Sequence, residues 1–98
     1  MSISLKAIII DDEPLARDDL RRMLAKHPFI EIAGESAGIE ESAALLSKTG
    51  VDVVFLDVQL RGGSGFDLVP RIPSSAEIIF FTAYDEYAIR AFEVNALD

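Results

Sequence analysis

The stretch from Val51 to Asp57 constrains this chain most, because it is an apolar run with β-branched residues that ends in a carboxylate. Such a run predicts a strand that is buried on both faces, as the strands of a parallel sheet are. A loop rich in glycine follows at residues 62–65. In an open parallel sheet, the carboxyl ends of the strands point into the crevice where ligands bind. Asp57 is therefore the first candidate functional residue.

On either side of this stretch, short apolar runs alternate with segments of helical spacing. Strands are predicted at residues 5–10, 29–33, 51–57 and 77–81. Helices are predicted at residues 14–26, at 65–71 and from about 85 onward. A further helix is predicted between residues 36 and 50, with Ser36 as its N-cap and Gly50 as its C-terminal stop. This alternation predicts one α/β domain with a doubly wound parallel sheet, strand order 2-1-3-4, and helices on both faces.

Two of these segments carry more detailed predictions. The alternation of apolar and polar residues in 29–33 predicts a strand near the edge of the sheet. On the first helix, helical spacing predicts a core-facing side that consists of Ala16, Leu20, Met23, Leu24 and His27.

The composition excludes several classes of function. Nine basic and seventeen acidic side chains give a formal net charge of -8, whereas a duplex-binding surface needs clustered Lys and Arg. We therefore expect no nucleic-acid contact by this segment, and we assign Arg17, Arg21 and Arg22 to a solvated helix face. The absence of cysteine excludes disulfides and thiolate metal sites. No apolar run approaches the ~18 residues of a membrane span, so we expect a cytoplasmic protein without membrane contact.

Three carboxylates are expected to meet at one edge of the sheet. Asp11 and Asp12 follow the first strand, as Asp57 ends the third, and these strands are neighbours in a doubly wound sheet. Like charges that close raise one another's pKa unless a cation lies among them, and Mg²⁺ takes carboxylate oxygens together with water and phosphate. Thr82 ends the fourth strand on the other side of the third, within expected reach of a phosphoryl group on Asp57. The sequence therefore predicts a phosphate-accepting aspartate beside a magnesium site.

Three segments together resemble one family. Residues 8–14 (IIIDDEP), 55–65 (FLDVQLRGGSG) and 81–88 (FTAYDEYA) occur in the order found in response-regulator receiver domains. The final AFEVNALD looks most like the receivers of LytTR-type DNA-binding regulators. The resemblance covers the whole chain, 1–98, and implies a CheY-like fold and a receiver module of phosphorelay signal transduction.

The resemblance implies a role for each residue of the acidic cluster. Asp57 would be phosphorylated by a sensor histidine kinase. Asp11 and Asp12 would hold Mg²⁺, Asp12 directly and Asp11 partly through water. The backbone carbonyl of Gln59 would be a further metal ligand.

The resemblance to receiver domains also implies how the signal is passed on. Thr82 would be the switch hydroxyl that moves toward the phosphate, and Ala83 would leave that approach uncrowded. The added charge would bias a two-state loop and so regulate an attached output, which in LytTR-type regulators binds DNA.

Two features depart from the family pattern. Arg61 stands where the family usually has proline, so we expect a less rigid loop. Family members continue with a fifth strand, a pocket lysine and a fifth helix, all of which would lie beyond Asp98. We therefore expect this chain to bind Mg²⁺ but to be phosphorylated poorly, and to dimerise through the region of the fourth strand and fourth helix, where the sheet edge lacks cover.

Two other functions stay open at the level of sequence. One is a Mg²⁺-dependent phosphotransfer enzyme with Asp57 as nucleophile, which steady turnover of a phosphoester would favour. The other is a pseudo-receiver that is not phosphorylated and only mediates protein contacts, which an absence of Mg²⁺ binding would favour. The regulatory module is the leading hypothesis because the acid pair, the acceptor and the threonine occur together.

Overall fold

The computed structural model describes residues 4–81, which form alternating strands and helices. In chain order the elements are β1 (Leu5–Ile10), α1 (Pro14–Leu24), β2 (Ile30–Ser36), α2 (Ile39–Lys48), β3 (Val53–Asp57), β4 (Gln59–Leu60), β5 (Gly63–Ser64), a 3₁₀ helix (Gly65–Arg71) and β6 (Glu77–Phe81). A four-stranded parallel sheet has the order β2-β1-β3-β6. Since β6 is the fourth predicted strand, the predicted order 2-1-3-4 is confirmed.

The core lies on both faces of this sheet, because alternate side chains of β1 and β3 point to opposite sides. One cluster includes Ile8, Val54 and Leu56 and packs against α2 and the 3₁₀ helix; its helical members include Leu46 and Leu68. The other face carries Ala7, Ile9, Val53 and Phe55, which pack with Leu24 of α1. Helices on both faces confirm the doubly wound architecture.

Strand β2 is longer than predicted. Its pairing with β1 shifts register between Ala7 and Ile8, so that Ala7 pairs with Ile32 and Ile8 with Gly34. This irregularity lets the strand continue to Ser36. The sequence pattern predicts a strand that ends at Ala33 and a turn from Gly34 to Gly38, and that turn was wrong over residues 34–36. Glycine fits at 34 because a β-carbon there would lie 3.1 Å from Leu45 Cδ1 of α2. The predicted edge position of β2 is confirmed.

The start of α2 also differs from the prediction. Gly38 occupies the N-cap position, and Ser36 ends β2 instead of capping the helix. The Ser36 hydroxyl is buried and lies 2.7 Å from the hydroxyl of Ser42, which in turn donates to the Gly38 carbonyl at 2.5 Å. Two small hydroxyls thus join the end of β2 to the first turn of α2.

Helix α1 begins at Pro14 as predicted but ends at Leu24, two residues before the predicted Lys26. Leu24 is its buried residue, whereas Met23 is 61% exposed and His27 is exposed. Their assignment to the core was wrong. Among the described residues, α1 packs against the core through Leu20 and Leu24, and His27 lies beyond the end of the helix.

The third predicted helix has the predicted bounds, 65–71, but is a 3₁₀ helix with Pro70 inside it. No helix within residues 4–81 is long and apolar enough to cross a membrane. The predicted fourth helix, and with it most of the proposed dimer region, lies outside the described residues.

Candidate metal centre

The parallel pairing of β1 and β3 positions the acidic cluster. Ile10 is the register partner of Leu56, so the residues that follow, Asp11 and Asp57, emerge side by side at the carboxyl edge of the sheet. Carboxylate oxygens of Asp11, Asp12 and Asp57 all lie within 4.8 Å of one another. The structure therefore brings together the three carboxylates that the sequence predicted to meet.

Local hydrogen bonds hold the two buried members of the cluster. Asp11 is 3% exposed; its N–H donates to the Ser36 carbonyl at 3.1 Å, and its Oδ1 accepts from the Glu13 N–H at 2.9 Å. Asp57 is 8% exposed, and its Oδ1 accepts a long hydrogen bond of 3.4 Å from the Gln59 N–H. Gln59, the first residue of β4, thus contacts Asp57 through its N–H. The ligand expected from the family resemblance is its carbonyl, and that role stays a prediction.

Burial makes this cluster electrostatically unfavourable without a cation. It raises the pKa of Asp57 to about 7, and the negative charge of Asp11 adds to the rise. Burial also raises the pKa of Asp11, against the hydrogen bond from Glu13. A divalent cation among the three oxygens would remove the repulsion, because an opposite charge favours the ionised form.

The loop after Asp57 folds back as a small hairpin of β4 and β5. Gly62 and Gly63 have φ values of +92° and +157°, which glycine adopts without the penalty of a β-carbon. The Arg61 carbonyl accepts from the Ile39 N–H at 3.2 Å, and Arg61 forms an isolated bridge with Gly38. At position 61, where proline was expected, the backbone is thus tied to the start of α2.

Sequence reasoning missed one residue at this site. Arg17 was assigned to a solvated helix face, yet its Nη1 donates to the Asp11 carbonyl at 2.7 Å and its Nε to Glu35 at 2.9 Å. One signal was present, because side chains on a helix tilt toward its N-terminus. An arginine one turn into a helix that starts at the site is therefore a candidate to reach it.

A groove of about 380 Å³ opens beside the cluster, between α1 and the end of β6. Asp11, Asp57, Leu20, Met23 and Phe81 are among the residues that line it. Phe81 is the register partner of Asp57, and Thr82 and Ala83, the predicted switch residues, follow it in the sequence outside the described residues.

Comparison with known proteins decides the family, since residues 7–98 match the model of the response regulator receiver domain. The chain belongs to the response regulator receiver domains. This receiver domain is 43% identical over 97 residues to the sensory transduction protein LytT of Bacillus anthracis, a match that covers 96% of this chain and 39% of LytT. It is 44% identical over 96 residues to the transcriptional regulatory protein BtsR of Escherichia coli, covering 96% of this chain and 40% of BtsR. The chain thus spans about two fifths of the length of these relatives.

Solved structures agree with this assignment. The receiver domain superimposes with a TM-score of 0.79 and 28% identity on a LuxR-family two-component response regulator from Aurantimonas, over 92% of this chain and 68% of the other. For the response regulatory domain of mrkE from Klebsiella pneumoniae the TM-score is 0.76 at 29% identity, over 92% and 76% of the two chains. The fold and family inferred from the three motifs are confirmed, and the family is a regulatory one.

Proposed function

We propose that this receiver domain is a phosphorylation switch in which Asp57 accepts a phosphoryl group beside a magnesium ion. The observation that carries the proposal is the convergence of Asp11, Asp12 and Asp57, with oxygens within 4.8 Å of one another. This cluster lies at the carboxyl edge of the sheet, where doubly wound folds bind their ligands.

The residues present fit Mg²⁺. The cluster offers only carboxylate oxygens, and Mg²⁺ is held in proteins by one or two carboxylates with waters and a phosphate. We propose that Asp12 binds the ion directly, that Asp11 binds it partly through water, and that Asp57 and the Gln59 carbonyl complete the protein ligands. When bound, the ion would neutralise charge on the acids and on an incoming phosphoryl group.

The proposed chemistry is a transfer between two protein side chains. A carboxylate oxygen of Asp57 attacks the phosphorus of a phosphohistidine on a sensor histidine kinase. The phosphorus–nitrogen bond breaks, its electron pair stays on the imidazole, and an aspartyl phosphate is formed. Only ionised Asp57 is a nucleophile, and burial raises its pKa to about 7, so a neighbouring cation would increase the ionised fraction at neutral pH.

We further propose that Thr82 and Ala83 read the phosphoryl group. They follow Phe81, which pairs in register with Asp57 and lies where β6 ends. The Thr82 hydroxyl would donate to a phosphoryl oxygen, and the small side chain of Ala83 would leave the approach open. The new charge and its acceptor oxygens would then bias the surrounding loops between two states.

The switch would act on other parts of a longer regulator in the cytoplasm. LytT and BtsR, which this chain matches over about two fifths of their lengths, are named as sensory transduction and transcriptional regulatory proteins. We propose that the output is DNA binding outside residues 1–98, since a net charge of -8 disfavours contact with nucleic acid by this segment. Homodimerisation would use the region around β6, one of the two outer strands of the described sheet, where Ile79 is 46% exposed.

The test is labelling with a small acyl phosphate in the presence of Mg²⁺, followed by intact mass and peptide mass measurement. We expect at most one phosphoryl group per chain, located on Asp57, and no labelling of an Asp57→Asn variant. Asp18→Asn is the matched control, because Asp18 is an exposed aspartate of α1. Labelling of the Asp57→Asn variant to the wild-type level would contradict the proposal.

Measurements of phosphoester turnover and of Mg²⁺ binding, together with this labelling, separate the alternatives. A phosphotransfer enzyme would release phosphate from a phosphoester continuously, whereas the switch takes up one group and then stops. A pseudo-receiver would neither bind Mg²⁺ nor be labelled.

A further inference from the structure

An ion-pair cluster of Arg17, Arg21 and Glu35 lies next to the acidic site. Glu35, near the end of β2, accepts from Arg17 Nε at 2.9 Å and also pairs with Arg21 Nε through its other oxygen. The Arg17 and Glu35 side chains are 18% and 28% exposed, so this pair is partly shielded from solvent. Two arginines share one carboxylate, which leaves the cluster with one net positive charge.

Arg17 makes a second contact that reaches the acidic site itself. Its Nη1 donates to the backbone carbonyl of Asp11 at 2.7 Å. That carbonyl belongs to the planar peptide unit that joins Asp11 to Asp12. Arg17 therefore holds the peptide between two of the three residues whose oxygens form the candidate metal site.

The remaining bonds of Asp11 show why this contact matters for geometry. The Asp11 N–H is bound to the Ser36 carbonyl and its Oδ1 to the Glu13 N–H. The first bond ties Asp11 to the end of β2, and the second ties it to the turn that leads into α1. The bond from Arg17 fixes the carbonyl, and so limits rotation of the peptide that leads into Asp12.

We propose that Arg17 is a positioning residue for the magnesium site, with Glu35 holding its guanidinium in the required orientation. The proposal rests on the proposed function, since it assumes that Asp11, Asp12 and Asp57 bind Mg²⁺. Arg17 donates to the Asp11 carbonyl and to Glu35, and neither bond occupies a carboxylate oxygen of the cluster. Partners that orient metal ligands in this way typically alter metal affinity by about 10–100-fold when they are removed.

The bonding pattern requires arginine at this position. The Nε and Nη1 of one guanidinium point in fixed directions and reach two acceptors at once, Glu35 and the Asp11 carbonyl. A lysine carries the same charge on a flexible stem and does not reproduce that fork. Arg17→Lys therefore separates positioning from simple electrostatic attraction.

The experiment measures the dissociation constant of Mg²⁺ by titration of the chain, followed by the NMR shifts of its backbone amides. We expect Arg17→Lys and Arg17→Gln both to weaken Mg²⁺ binding about tenfold or more, and the Asp12 amide to shift in both variants before Mg²⁺ is added. Arg22→Gln is the matched control and should bind as the wild type does, because Arg22 pairs with Asp19 where both side chains are more than 70% exposed. Glu35→Gln, which keeps the shape of the side chain, should give a smaller loss and serves as the second variant if an Arg17 variant does not fold.

A second readout distinguishes positioning from a general loss of structure. In acyl phosphate labelling, the Mg²⁺ concentration for half-maximal rate should rise in the Arg17 variants, whereas the rate at saturating Mg²⁺ should stay close to that of the wild type. Wild-type affinity in Arg17→Lys, or in both Arg17→Gln and Glu35→Gln, would overturn the proposal while leaving the proposed function intact. Failure of the wild-type chain to bind Mg²⁺ would instead overturn the proposed function.

Discussion

Gly65 lies so close to the backbone of Asp57 that a β-carbon at position 65 would be 2.0 Å from the Asp57 carbonyl oxygen. The Gly65 N–H also donates to the Val58 carbonyl at 2.6 Å, which closes the hairpin of β4 and β5 against the end of β3. The absence of a side chain at 65 therefore helps to set where the candidate phosphate acceptor lies.

Gly65→Ala should displace this loop, since the clash is with backbone and not with a flexible side chain. We expect a loss of about 3 kcal/mol or more in the free energy of unfolding, measured by urea denaturation, together with weaker Mg²⁺ binding. Gly50→Ala is the control, because a β-carbon there meets nothing within 4 Å and should change stability by less than about 1 kcal/mol. Equal stability of the two variants would contradict the close approach of Gly65 to the Asp57 backbone.

The raised pKa of Asp57 predicts that the metal-free protein loses stability as the pH rises. Between the ordinary value of 3.8 and about 7, the folded chain binds a proton at Asp57 that the unfolded chain has released. The free energy of unfolding therefore falls across this window, by up to about 4 kcal/mol. In denaturation experiments with a chelator present, the free energy of unfolding of Asp57→Asn should fall less between pH 5 and 8 than that of the wild type. Glu35, whose pKa is lowered chiefly by its hydrogen bond with Arg21, acts in the opposite direction but at lower pH.

Mg²⁺ should reverse this loss, because it binds the ionised form of the cluster. At a concentration 100 times its dissociation constant it should raise the free energy of unfolding by about 2.7 kcal/mol at pH 8, and by less at pH 5, where protons compete for the same oxygens. Thermal unfolding with Mg²⁺ and with a chelator tests this prediction. Asp57→Asn should reduce the effect and Asp18→Asn should keep it; stabilisation of the same size in both variants would place the ion elsewhere.

The hydroxyl pair of Ser36 and Ser42 should contribute to stability at the junction of β2 and α2. Ser42→Ala removes two hydrogen bonds at a fully buried position and leaves the Ser36 hydroxyl without this partner. We expect a cost of about 1–3 kcal/mol in the free energy of unfolding. Ser47→Ala is the comparison, since Ser47 lies on the exposed side of the same helix and should cost no more than about 0.5 kcal/mol. A loss in Ser42→Ala no larger than that in Ser47→Ala would refute this account.

The sequence by itself determined the sheet and the place of the acidic cluster. The apolar run ending in Asp57 required a central parallel strand, and neighbouring strands one and three required that Asp11 and Asp57 meet. These predictions succeeded because hydrophobic periodicity is local along the chain, and because a parallel sheet brings the carboxyl ends of its strands to one edge.

The tertiary structure alone decided the features that depend on residues far apart in sequence. The register shift of β2 against Ala7 and Ile8 extended a strand where a turn was predicted. The packing of α1 beside β2 turned Arg17 from a presumed surface charge into a partner of Glu35 and of the Asp11 carbonyl. Gly65, which the sequence identified only as part of a glycine-rich loop, proved to lie directly against the Asp57 backbone. Such contacts depend on how the elements pack together, and the periodicity of residues within one element does not predict them.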